Sequence, residues 1–412
     1  MELTRRPAAA RWLRMAPTAI ASATPPGRRS PSSNRLVRDV IQALAGKLTW
    51  IQAADILGRS ARSIRRLRLK FERYGVDDLY DRRRRTPSPK RAPVAEVQRL
   101  LALYREHYQG FNVRHFHHIA RRQHQVRFCY AFVKKALQGA GLVAKQRPRG
   151  RHRRRREPRP CWGELLHLDG SRHQWLALVP EQWFTLIAVV DDATKRLLYA
   201  QLCPGGESVP AVMTALRAVF QRHGLPLALY TDRAHWAVHT PVAGGGPDRA
   251  RLTQVGRALA HLGIEHILGY SPQARGRSER ANRTLQGRLV NELRVAGITT
   301  IALANRYLRE HFIADFNAEF ARPPAHPTSA FVPLGRVDLE QILCVEHERV
   351  VGRDNVVTAD HVALQLDKQP GRRTCAGLRV LVRRHLDGHH SVWYGPRCFG
   401  RYDHAGQRLR AT

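Results

Sequence analysis

ELLHLDGSRHQWLALVPEQWFTLIAVVDDATKRLLYAQLCP, residues 164–204, decides the fold. It contains three apolar runs of strand length, ELLHLDG (164–170), WFTLIAVVDD (183–192) and RLLYAQLCP (196–204), separated by short polar turns. Downstream the period changes. An amphipathic helix, SVPAVMTALRAVFQRHG (208–224), leads to a buried strand, LALYTD (227–232), and then to a Gly-rich loop (243–247). A second helix, LTQVGRALAHLG (252–263), a short strand, EHILGY (265–270), and a long polar helix (277–296) after SPQARG complete the run.

Three antiparallel strands followed by alternating helix and strand is the order of a ribonuclease-H-like α/β domain, here residues 161–325. The regions on either side differ in kind. Residues 1–33 read as a disordered basic tail with no sustained apolar segment, which argues against secretion. Residues 34–80 read as a helix-turn-helix. Thr49 caps a helix with Ile51, Ala54 and Leu57 on its buried face, Gly58 supplies the turn, and Ser60 caps a third helix from about Ala61 to Tyr74. That helix carries Arg62, Arg65 and Arg66 around Ile64, Leu67 and Phe71, the layout of a helix that enters a DNA major groove. A basic linker (81–93) precedes a second predicted helix-turn-helix (94–144), whose last helix turns Lys134 and Lys135 outward and stops near Gly139 and Gly141. Residues 145–160 form an Arg-rich linker with nine Lys or Arg and one acid. Residues 340–412 alternate short strands and turns, from which a small DNA-contacting β-barrel is expected, with Arg372, Arg373, Arg383 and Arg384 as candidate contacts.

Charge narrows the function. Lys and Arg total 70 against 33 acidic residues, a formal net charge of +37, and such an excess fits a polyanionic partner, because each neutralised phosphate releases counterions. The six cysteines are scattered with no C-x-x-C pair, so neither a disulfide framework nor a zinc ribbon is indicated. The cluster His115, His117, His118, His124 and Cys129 lacks a second cysteine for a closed four-ligand site, so no zinc is expected. No apolar stretch reaches membrane-spanning length, and a bacterial cytoplasmic, nucleoid-associated location is expected.

DNA strand cleavage and transfer need an oxygen nucleophile, an in-line path and divalent ions held by hard oxygen ligands. Carboxylates at neighbouring strand ends and on an adjacent helix supply them. Asp169 ends the first strand and Asp232 the fourth strand-like run, 63 positions later. Glu279 follows after another 47 positions, in the first turn of the long helix. Glu292 lies 13 residues beyond Glu279, more than three helical turns away, and cannot share that site. Asp191 and Asp192 sit between two strand-like runs, where aspartate favours a tight turn. Arg275, Arg277, Arg280 and Arg283 flank Glu279 as candidate phosphate contacts, with a solvated helix face as the other reading. Asn282 lies one turn after Glu279, to support it or to touch DNA.

HLDGSRHQW (167–175), LYTDRAHW (229–236) and SPQARGRSERANRTLQGRLVNELR (271–294) resemble the motifs of retroviral-integrase-type transposases of bacterial insertion sequences, and the whole run resembles most the ISNCY-type group. IAVVDDATKRLL and DFNAEFARPP also match, so the resemblance covers roughly residues 35 to 400. It implies a D-D-E catalytic triad of Asp169, Asp232 and Glu279 holding two Mg²⁺ or Mn²⁺ ions. It also implies double-stranded DNA partners (element ends and target) and a homo-multimer on DNA. The Asp232–Glu279 interval is longer than in retroviral integrases, and the excess coincides with HTPVAGGGPDRAR (239–251), a surface loop. Asp232 is followed by Arg233, Ala234 and His235 rather than a Lys-His-like continuation. A DNA-binding regulator with a degenerate catalytic core is the alternative, and a nuclease acting on RNA–DNA hybrids a third reading.

Overall fold

The computed structural model describes residues 31–75, 79, 91–145, 157–240, 246, 248, 251–269 and 278–409. The described residues within Met1–Glu106 and Gln125–Lys145 form one compact unit, and those within His107–His124 and Gln146–Thr412 another.

The first unit opens with α1 (Pro31–Leu44), α2 (Trp50–Leu57) and α3 (Ala61–Tyr74). α2 starts on a capping box. The Thr49 hydroxyl accepts from Gln52 N at 3.2 Å, and the Gln52 side chain accepts from Thr49 N at 2.9 Å. It stops at Gly58, whose φ of 58° is left-handed, and Ser60 then caps α3 through Ser63 N at 3.3 Å. Val40, Ala53, Ala54 and Ile64 are buried between these helices. Ile51 is a correction to the sequence reading: it is 71% exposed, and the inward face of this short helix is built from Ala53 and Ala54 instead. Arg62, Arg65 and Arg66 all face solvent. α4 (Val94–Glu106) and α6 (Tyr130–Gly139) also belong here, with Leu100, Tyr104, Val133 and Leu137 buried and Lys134 and Lys135 exposed. α5 (Val113–Gln123), between them in sequence, groups with the second unit.

The second unit is built on a five-stranded sheet of β2 (Leu165–His173), β3 (Phe184–Asp191), β4 (Leu197–Pro204), β5 (Ala228–Thr231) and β6 (Glu265–Leu268), preceded by the two-residue β1 (Cys161–Trp162). The strand order is β4-β3-β2-β5-β6, with β2, β3 and β4 antiparallel and β5 and β6 joining β2 in parallel. This is the predicted ribonuclease-H-like order. Side chains alternate across the sheet, so helices cover both faces. One face packs Leu166, Leu168 and Val189 against α7 (Val209–His223) and α8 (Gln254–His261). The other packs Leu186, Ala188 and Leu202 against α9 (Ser278–Val295), α10 (Ile301–Tyr307) and α11 (Ile313–Phe320). The outer edge of β4 is satisfied by side chains: Asn317 and Asn305 each exchange two hydrogen bonds with its backbone, at Leu197 and Leu202, at 2.7–2.9 Å.

α5 and the loop before it are held onto α9 and α11 by one buried pair and two exposed contacts. His115 meets Glu292 at 2.9 Å, Arg122 meets Asp315 at 2.7 Å, and Arg294 donates to the Gln109 carbonyl at 2.8 Å. Between α9 and α11, Arg288 grips Glu319 with two bonds of 2.5 Å while its guanidinium lies over Phe320.

After β7 (His326–Ser329) and α12 (Leu339–Ile342), the chain ends in strands β8 (Val345–Val350), β9 (Val356–Ala359), β10 (Val362–Gln365), β11 (Arg379–Arg384), β12 (His390–Tyr394), β13 (Arg397–Tyr402) and β14 (Arg408–Leu409). The expected closed barrel is corrected here. The described strands form an open antiparallel sheet, β14-β13-β12-β11-β8, and a separate β9–β10 hairpin. The hairpin puts Val357 and Leu364 into the same core as Val380, Val382 and Val392 with its strand ladder confined to itself, and it is joined to the sheet by packing and by side-chain bonds from Tyr402 to the Gln365 carbonyl and Arg349 to the Thr358 carbonyl. Arg383 bonds Glu346 and Gln341, and Arg384 pairs with Asp360. Arg257 ties this sheet to α8 through the Ile342 and Cys344 carbonyls.

Burial lowers several histidines in the second unit: His266 from 6.5 to about 4, and His173, His223, His385 and His390 in the same direction. The unfolded chain therefore binds more protons between about pH 6.5 and 4, and stability falls as pH drops through that window. Asp191, raised by burial, acts in the opposite sense at the acid end. The unfolding midpoint should be lower at pH 5 than at pH 7.5 by calorimetry, with a smaller difference in His266→Gln; an unchanged midpoint contradicts this. Arg288→Ala leaves Glu319 uncompensated and should cost about 3–5 kcal/mol in denaturant unfolding, whereas Arg288→Met with Glu319→Leu should cost far less.

Candidate active site

The site begins with strand register. β2 and β5 run parallel and pair Leu165 with Ala228, Leu166 with Leu229 and His167 with Tyr230, a constant offset of 63 residues. Extended by two residues, that offset brings Asp169 level with Asp232. Residues level on parallel neighbours point to the same face, about 4.8 Å apart along the hydrogen-bonding direction. Both carboxylates are half-buried.

α9 lies over this point. Leu285, Leu289 and Leu293 are fully buried against the sheet and fix the helix at its middle and end. Glu279 and Asn282 continue the same stripe toward the N-terminus. Asn282 Nδ2 donates to Asp169 Oδ2 at 2.9 Å, and Gln286 Nε2 donates to Ser171 Oγ at 2.8 Å, so consecutive turns of α9 are stitched to alternate residues of β2. The sequence reading sets Asn282 beside Glu279 or DNA; its hydrogen bond in the structure is to Asp169. Asp232 closes a local turn, its Oδ1 accepting from Ala234 N at 2.9 Å. The buried Thr231 hydroxyl bonds the Asp232 carbonyl at 2.9 Å and sits 2.8 Å from His266 Nε2.

Glu279 is exposed, and the triad is open: among the described residues no three His, Cys, Asp or Glu side chains are grouped to hold a metal ion. Like charges resist close approach, and beside Asp169 the neutral Asn282 takes the near position. The oxygen donors of Asp169 and Asp232, level on adjacent strands, nonetheless fit a hard divalent cation. Arg280 and Arg283 are exposed near this end of α9, while Arg275 and Arg277 lie outside the described residues.

The rival carboxylates are engaged elsewhere. Asp191 accepts from Gly163 N, Thr194 N and Thr194 Oγ1, and Asp192 from Arg159 N, with His167 Nε2 2.9 Å from its other oxygen. Both are fully buried in the β3–β4 turn, where they bind the start of the domain to the sheet. Glu292 pairs with His115 and Tyr307, far along α9. His118 approaches Glu319 and His124 meets the Tyr108 hydroxyl, so the histidines of α5 and its end have separate partners.

Comparison with known proteins places these features. A family described as "Helix-turn-helix domain" matches residues 38–86. The putative transposase y4bF of Sinorhizobium fredii is 30% identical over 358 residues, 86% of this chain and 77% of its own length. The transposase for insertion sequence IS1202 of Streptococcus pneumoniae is 29% identical over 318 residues, 68% of this chain and 67% of its own. Among solved structures, the catalytic core domain of BIV integrase matches at 21% identity, covering 36% of this chain and 85% of that one with a TM-score of 0.25.

Asn282→Ala removes the donor that orients Asp169. It should weaken Mn²⁺ binding by about 10-fold or more in titration calorimetry, in the range typical of groups that orient metal ligands; an unchanged affinity would show the bond to be incidental.

Proposed function

The chain belongs to the insertion-sequence transposases, and from that premise we propose that it cleaves and joins DNA strands with Asp169, Asp232 and Glu279 as a D-D-E triad. The observation that supports the reading is the 63-residue register of β2 and β5, which continued two residues past its last pair would put Asp169 beside Asp232, together with the bond from Asn282 of α9 to Asp169. Two divalent ions, Mg²⁺ or Mn²⁺, would supply an activated oxygen nucleophile and stabilise the leaving oxygen. Asp169 and Asp232 provide the shared seat. Glu279, one turn before Asn282, completes the ligand set once the charge of the aspartates is neutralised. Asn282 holds Asp169 oriented throughout.

DNA is held by other parts of the chain. α3 presents Arg62, Arg65 and Arg66 to a major groove at the element end. Lys134 and Lys135 on α6, and Arg280 and Arg283 beside Glu279, contact phosphates, with Arg275 and Arg277 proposed from sequence alone. Pairing two ends calls for more than one copy of the chain on DNA. Among the described residues no helix is long and apolar enough to cross a membrane.

One observation favours a second reading, a DNA-binding regulator with an inactive core: the triad is open. Asp169→Asn, Asp232→Asn and Glu279→Gln separate the two. Each should lower Mg²⁺-dependent nicking and strand transfer by on the order of 100-fold or more while binding to end-containing DNA stays at the wild-type level in gel shifts. Wild-type nicking in all three variants would overturn the triad, and tight binding by the wild-type chain without cleavage at any metal concentration would favour the regulator.

A further inference from the structure

The ladder between β2 and β5 ends at His167 and Tyr230, two residues before the aspartates whose spacing matters. Something beyond the ladder must hold Asp169 and Asp232 in register. Glu207, in the connection between β4 and α7, lies where such a tie is needed.

Its carboxylate reaches two places. Oε2 accepts from Trp236 Nε1 at 2.6 Å. Trp236 lies four residues after Asp232 and is 1% exposed, packed in the core with Leu166 and Leu168 of β2. The intervening chain is a tight turn: Ala234 N donates to Asp232 Oδ1 at 2.9 Å, and Ala237 N and Val238 N donate to the Ala234 carbonyl at 2.8 and 3.1 Å. At the other end the Glu207 side chain lies flat on Gly170, the residue after Asp169. A Cβ at Gly170 would fall 2.0 Å from Oε1 and 2.5 Å from Cγ of Glu207, so the Glu207 side chain lies where it does because this position carries no Cβ. Side chains alternate along a strand, so the Gly170 Cβ direction is opposite to that of the Asp169 carboxylate. Glu207 therefore sits on the far side of the sheet from the proposed metal seat.

We propose that Glu207 is a positioning residue for the Asp169–Asp232 pair, a strut that ties the backbone after Asp169 to the turn after Asp232 through Trp236. It touches neither metal nor DNA. It acts by bracing the turn after Asp232, through its bond to Trp236, against the β2 backbone next to Asp169, and Gly170 is the notch that lets it lie close. This rests on the reading of Asp169 and Asp232 as metal ligands.

The test is Mn²⁺ binding to the full chain by titration calorimetry. Glu207→Ala and Trp236→Phe, which remove the acceptor and the donor of one bond, should each raise Kd roughly tenfold. The double variant should be no worse than either single one, since one interaction is lost in all three. Glu207→Gln keeps an oxygen that accepts from Trp236 Nε1 and should stay within about twofold of wild type. An unchanged Kd in Glu207→Ala and Trp236→Phe, with Asp169→Asn abolishing binding, overturns the strut and leaves the metal seat standing. Additive losses in the double variant, or Glu207→Gln as damaging as Glu207→Ala, also overturn it, the latter by pointing to direct ligation. Normal Mn²⁺ binding by Asp169→Asn sinks both the seat and the strut.

Discussion

The parallel register of β2 on β5 is the constraint from which the rest of the second unit takes its meaning. Leu165, Leu166 and Leu229 are fully or almost fully buried, so a slip of one residue would turn an apolar set to the wrong face and carry Asp169 away from Asp232. Packing on both faces therefore enforces the position of two polar groups that contribute little to the core.

α9 converts the same packing into a third arm. Its buried leucines fix the helix, Asn282 and Gln286 bind its start to β2, and His115, Arg122 and Arg294 fasten α5 along its far half and against α11. The buried His115–Glu292 contact is a poor source of net stability, because desolvation offsets most of the attraction, and the exposed contacts of Arg122 and Arg294 add little each, but together they select one arrangement of helices over others. Here that arrangement sets where the start of α9 points. The Asn305 and Asn317 bonds perform a comparable service for β4, closing an edge that would otherwise present unpaired backbone groups.

Much of this was legible in the sequence because it is local or periodic. The strand runs, the caps at Thr49 and Ser60, the Gly58 stop and the turn character of Asp191 all depend on neighbours a few residues away. The sequence reading ends the first strand at Asp169, but β2 runs on to His173, because its second half pairs with β3, so Asp169 sits in mid-strand and only Asp232 follows the last residue of its strand. What escaped was decided by tertiary contact. Ile51 points outward because two small alanines take the inner face, and Arg383 and Arg384 are neutralised by acids that no spacing rule connects to them. α5 joins α9 through His115 and Glu292, 177 positions apart, and the C-terminal sheet stays open because the β9–β10 hairpin packs without pairing. Asn282 was singled out for its place on the helix, but its partner, Asp169, lies 113 residues away and required the fold.

The central claim is that Asp169 and Asp232 form one divalent-metal seat. A crystal structure of the full chain soaked in Mn²⁺, with anomalous differences recorded, addresses it without any assumption about DNA sequence. The account predicts an anomalous peak between the two carboxylates, with Asn282 still bonded to Asp169. Anomalous density confined to other acids, or none between Asp169 and Asp232 at saturating Mn²⁺, would contradict it.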